Sequence, residues 1–170
     1  KVAYLQTLLG PGDEAIETHF AWVFLIGPRA LKLRKPVRRD SMDYSTIAAR
    51  RHDSEEEVRL NRRLAPHVYL GTLALTYDGS GRLAIGGAGE TVDWLVEMRR
   101  LDRALMLDAM LARGAAPEVA LARVVGLLTE FYAREPPAIS DGAAFGERLR
   151  HQVVANCQAL HNLEPEASAA

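Results

Sequence analysis

AWVFLIGPRALKLRKPV, residues 21–37, sets a strand pattern, a turn signal and a well-placed cation side by side. Ala21 to Ile26 is apolar and rich in Trp, Val, Phe and Ile, which suits a buried strand better than so short a helix. Gly27 and Pro28 stop it. The next residues alternate: Ala30, Lys32 and Arg34 fall on one side of a strand and Leu31, Leu33 and Lys35 on the other, until Pro36 removes a backbone donor and ends the pairing. The stretch therefore reads as a β-hairpin. It displays the Lys32 ammonium beside the small side chain of Ala30, either as a solvated strand residue or as a fixed cation awaiting an anion.

Downstream, His52 to Glu57 begins an acidic helix that continues through VRLNRRLAP, residues 58–66. Leu60 and Leu64 recur at helical spacing and mark its packing face, Glu57 stands one turn before Leu60, and Asp53 or Ser54 is the expected cap. A carboxylate so placed on a sheet-facing helix holds a strand lysine by an ion pair, the arrangement with which protein kinases orient the lysine that grips the nucleotide phosphates.

The blocks ETHFAWVFLIGPRALKLRKPV, DSMDYSTIAARRH, SEEEVRLNRRLAPHVYLG and VEMRR, taken in that order between Ile16 and Arg100, resemble the amino-terminal part of the bacterial aminoglycoside-phosphotransferase-like proteins, a branch of the kinase-like superfamily. The resemblance implies an α+β fold: a kinase-like amino-terminal lobe over residues 1–100, a small antiparallel sheet with one packed helix, then the helical start of an incomplete carboxy-terminal lobe over 101–170. It implies ATP as the nucleotide, Lys32 as the strand lysine and Glu57 as its helix partner, with Glu56 as the fallback. Glu97, Met98 and Arg99 fall in the hinge that recognises adenine through main-chain groups. Thr18 and His19 fall at the turn that covers the phosphates, here without its glycines. The reaction implied is transfer of the ATP γ-phosphoryl group to a hydroxyl of a small molecule of unspecified identity. That chemistry also needs a catalytic aspartate and Mg2+ ligands. No His-Gly-Asp or His-Arg-Asp loop occurs, and the resemblance places both functions beyond Leu160, so the chain by itself is expected to be a fragment without phosphotransferase activity. Some members of the branch carry a P-loop domain downstream. The alternative reading is a non-catalytic, pseudokinase-like interaction module.

Composition fits this reading. Across 170 residues, 21 Lys and Arg against 22 Asp and Glu leave a net charge of −1. Without a global pull toward nucleic acid or anionic membranes, neither is an expected partner. The local cluster of Arg29, Lys32, Arg34, Lys35, Arg38 and Arg39 has only Tyr44 nearby as an aromatic platform and reads as a solvated strand end. No apolar run approaches the roughly 20 residues of a membrane helix, and no secretory signal is seen. The lone Cys157, read as a packed helix residue, agrees with a cytoplasmic location. The histidines form no zinc pattern.

Elsewhere, Val2–Leu9 reads as a leading helix and Glu14–Phe20 as the first strand. Val37–Arg51 is polar, with a helical turn near Asp43 and Ser45. Strands follow over Val68–Tyr77, Arg82–Ile85 and Thr91–Met98, with Glu97–Arg100 as the hinge. Gly86-Gly87-Ala88-Gly89 lacks the lysine and helix of a P-loop. Asp93 precedes any candidate catalytic loop, so it does not read as a metal-binding aspartate. Helices follow from Leu105 to Gly114, from Pro117 to the Glu135-Pro136-Pro137 break, and over Phe145–Leu160. Glu164–Ala170 reads as a tail.

Overall fold

The computed structural model describes residues 1–39, 42–115, 117–135 and 141–167, with side chains as far as 158. Two units are distinguished, residues 1–127 and 128–170. The first is built on a six-stranded antiparallel sheet in the order β1-β2-β3-β8-β6-β7, comprising β1 (Glu14–Glu17), β2 (Ala21–Ile26), β3 (Arg29–Arg34), β6 (Tyr69–Tyr77), β7 (Leu83–Ile85) and β8 (Glu90–Arg99). The expected hairpin is present: Ala21 pairs with Arg34 and Ile26 with Arg29 across a Gly27 turn at φ +51°. Its tip is tied down by Asp13, which accepts hydrogen bonds from the Gly10 and Gly27 amides at 2.9 and 2.8 Å. Those amides hold the Asp13 carboxyl below its ordinary range.

Successive strand side chains point to opposite faces, and the two faces differ. On one, Phe24, Leu31, Leu33 and Leu95 form the core with Leu5 of the short helix α1 (Val2–Gln6). Fully burying each such side chain contributes about 1.5–3 kcal/mol, which makes this face the main anchor of the sheet. The other face carries Val23, Leu25, Ala30, Lys32, Val96 and Met98. Against β8 and β6 packs α2 (Ile47–Asn61).

The start of α2 corrects the sequence reading. Thr46, not Asp53 or Ser54, is the cap, with its hydroxyl accepting from the Ala49 amide at 3.1 Å. Asp53 and Ser54 sit in mid-helix. Leu60 and Leu64 are exposed, whereas Arg50, Ser54 and Val58 are buried. The packing face is thus largely polar. Its signal is carried by charge pairing with the sheet and not by apolar periodicity.

Other boundaries also move. α1 stops at Gln6 and β1 at Glu17. Between β3 and α2 lies a small hairpin, β4 (Arg38–Arg39) with β5 (Met42–Asp43). Asp43 then accepts from both the amide and the hydroxyl of Ser45, making a side-chain turn in place of a helical one. β8 runs through Arg99, so Glu97 to Arg99 are strand residues. A 3-10 turn (Arg103–Leu105) and α3 (Leu107–Ala112) replace the single helix expected before Gly114. α4 (Glu118–Arg134) begins after Pro117; residues 136 and 137 of the expected break lie outside the described residues. In the second unit α5 (Gly142–Ala167) continues through most of the expected tail, and residues 168–170 lie outside the described residues. Cys157 is exposed on α5, not packed.

Candidate functional site

Lys32 and Glu57 meet. The ammonium of Lys32 on β3 donates to both carboxylate oxygens of Glu57 on α2, at 2.9 and 3.0 Å. Glu56, the fallback, instead pairs along the helix with Arg59. Arg34, the next side chain on the same face of β3, donates through Nη2 to Glu57 Oε2 at 2.6 Å, and its Nε forms an ion pair with Asp53 Oδ2. The guanidinium also lies over the Tyr44 ring, 4.9 Å from its centroid. Burial, then the Asp53 charge, push the Tyr44 hydroxyl above its ordinary pKa.

The match between strand and helix is metric. Residues i and i+2 on a strand stand about 6.7 Å apart, and residues i and i+4 on a helix about 6 Å apart. Lys32 and Arg34 therefore face Glu57 and Asp53 as two rungs of one ladder. Arg34 and Glu57 side chains are only 11% and 12% exposed, so this network works at lower dielectric than a surface pair.

The cation cluster is not a free basic stripe. Arg29 pairs with Glu97 at 2.8 Å, Lys35 with Glu17, and Arg38 with Asp43 at 3.3 Å.

Beside Ala30 opens a cleft of about 910 Å3, lined among others by Ile16, Val23, Ala30, Tyr69, Met98 and Leu101. Its size and mostly apolar walls are those of a small-molecule site. Lys32 is the next side chain on this face of β3 after Ala30. Tyr69 belongs to the cleft wall yet feels the Glu57 carboxylate: burial, then that charge, raise its hydroxyl pKa.

The remaining predicted residues are placed as follows. Met98 and Arg99 line the cleft. Glu97 shares the opposite face of β8 with Leu95 and is bound to Arg29. Because β8 lies between β3 and β6 here, the main chain of Glu97 and Met98 serves the sheet ladder. The first cleft-lining residues past the ladder are Arg100 to Asp102. Arg100 is itself anchored by its amide on the Pro28 carbonyl and its side chain on Asp13. Thr18 closes the β1–β2 turn, its hydroxyl accepting from the Ala21 amide at 3.0 Å and donating to the Ala21 carbonyl at 2.9 Å. His19 is exposed in that turn.

Sequence reasoning missed Arg34, Asp53 and Tyr69, although the i, i+2 cations facing i, i+4 acids were a usable signal for the first two. It also missed a buried brace. Arg50, near the start of α2, binds Asp93 of β8 through Nε at 2.8 Å and Nη2 at 3.0 Å, and Nη1 donates to the carbonyls of Tyr44 and Ser45. Lys1 adds a 2.6 Å contact to Asp93. Asp93 thus ties α2 and Lys1 to β8.

No family model matches the chain, and no solved structure matches it. Uncharacterized proteins of Mycobacterium bovis and of Mycobacterium tuberculosis are 39% identical to it over 124 residues, 73% of this chain and 23% of each relative. The matched part of the chain thus spans about a quarter of the length of the curated relatives.

Proposed function

We propose that this chain is the nucleotide-binding portion of an aminoglycoside-phosphotransferase-like kinase, a bacterial cytoplasmic enzyme that moves the ATP γ-phosphoryl group to a small-molecule hydroxyl when the full chain is present. The observation that carries the reading is the Lys32–Glu57 ion pair, on the same sheet face as Val23, Ala30 and Met98, which line the apolar cleft. Lys32 on the third strand and Glu57 on the helix that follows stand in the relation that kinases use to orient a phosphate-binding lysine. Here Glu57 fixes the ammonium, the cleft between Val23, Ala30 and Met98 receives the base, and Leu101 and Asp102 offer the main chain beside it.

Among the described residues no group of three or more His, Cys, Asp or Glu side chains could hold a metal ion. The role derived for the chain is to grip and orient the nucleotide, without transfer.

The test is titration with ATP. Lys32→Ala is expected to lower affinity at least about tenfold, since a charge-assisted phosphate contact is worth roughly 1.5–3 kcal/mol, while far-UV circular dichroism stays unchanged. Equal affinity in the variant would overturn the reading, and Lys32-dependent turnover of magnesium-ATP by the 170-residue chain would overturn the expectation that this part of the protein binds without transferring. The interaction-module alternative is favoured by one observation: Leu105, Leu111 and Val119 are 71%, 58% and 76% exposed. It predicts no ATP binding at all.

A further inference from the structure

The Lys32–Glu57 pair is only half of a four-charge network. Glu57 divides its carboxylate between Lys32, at 2.9 and 3.0 Å, and Arg34, at 2.6 Å, while Arg34 also engages Asp53. Two cations on β3 face two anions on α2, so the network as a whole is neutral. We infer that Arg34 is a positioning residue that draws Glu57 away from full neutralisation of Lys32, and that Asp53 sets the counterweight, so that together they tune the affinity of the Lys32 site for phosphate groups. This rests on the proposed nucleotide reading for the identity of the ligand and on the network geometry alone for the tuning.

Removing Arg34 and removing Asp53 change the charge around Lys32 in opposite directions. Without Arg34 the remaining network carries a net −1, and an arriving phosphate meets Lys32 backed by two carboxylates. Without the Asp53 charge it carries a net +1, and Arg34 is freed to share the phosphate field. A residue that merely held α2 against the sheet would behave differently: removing either partner of the Arg34–Asp53 contact would loosen the helix and weaken binding in the same direction. A unit charge about 8 Å from a phosphate, at an effective dielectric of about 40, changes affinity about fivefold.

The experiment compares Arg34→Gln and Asp53→Asn with the unmodified 170-residue chain, titrating each with ATP and, separately, with inorganic tripolyphosphate at low ionic strength, and checking the fold by thermal melts. The expected result is a loss of about fivefold for Arg34→Gln and a gain of about fivefold for Asp53→Asn, both shrinking at high salt. Changes of the same sign in the two variants, or none, would overturn the inference while leaving the nucleotide reading intact. If ATP binds no better than tripolyphosphate but the opposite signs persist, the nucleotide reading fails and the tuning stands. If the unmodified chain binds neither, both fall. Should Arg34→Gln not fold, Asp53→Asn decides alone: tighter binding supports the inference, and weaker or unchanged binding refutes it.

Discussion

Removing the Asp93 carboxylate tests whether the brace between α2 and β8 governs stability. Arg50 and Asp93 side chains are each 4% exposed, and four hydrogen bonds from the guanidinium end on Asp93 and the carbonyls of Tyr44 and Ser45. In Asp93→Ala the guanidinium keeps the carbonyls but loses its counter-charge in a site closed to water. Breaking a buried pair from one side costs about 3–5 kcal/mol. The Lys1 contact adds little, because that ammonium is 35% exposed. Against a typical total of about 5–15 kcal/mol, the loss is a large fraction, and it corresponds to a fall in melting temperature of about 10 °C. Urea unfolding at pH 7, followed by far-UV circular dichroism and tryptophan fluorescence, measures it. The double variant Arg50→Met with Asp93→Ala removes the stranded charge and is expected to recover more than half of the loss. A loss below about 1 kcal/mol in the single variant, or a double variant as unstable as the single, would refute the reasoning. The pH dependence has a definite sign. Burial pushes the Asp93 pKa up, but hydrogen bonds and charge from Arg50 and Lys1 outweigh it and leave the folded value below the ordinary one. The contribution is therefore complete above the unfolded carboxylate pKa of about 3.9 and is lost as pH falls through the lower folded value. Melts taken from pH 7 down to pH 3 should show a steeper decline in the unmodified chain than in Asp93→Asn.

Two further changes probe neighbouring features. Thr46→Ala removes the hydroxyl that caps α2, and a loss of about 1 kcal/mol is expected by urea unfolding, with the sheet core unaffected. Ala30→Leu places a larger side chain at a 6% exposed position in the cleft wall. ATP binding is expected to fall below detection by calorimetry while the far-UV spectrum is kept, and retained binding would show that the cleft is not where the base sits.

The hairpin and the ladder on it were written locally. Ala21–Ile26 and Arg29–Arg34 needed only their own alternation and the Gly27-Pro28 turn to declare strands and to put Ala30 and Lys32 on one face. Glu57 was named as the partner of Lys32 by the resemblance; its spacing to Leu60 and Leu64 did not locate the packing face, since both are exposed. The start of α2 was hidden, because its buried face is Arg50, Ser54 and Val58 with Glu57 beside them, a set without apolar periodicity. The strand expected over Thr91–Met98 reaches one residue further into the run read as a hinge, because Arg99 pairs with Arg29 of β3, and nothing within that run says so. Arg50 and Asp93 are 43 positions apart. A charge is buried safely only where a distant partner arrives to meet it, and that meeting is decided by how the helix lies on the sheet, not by the neighbours of either residue along the chain.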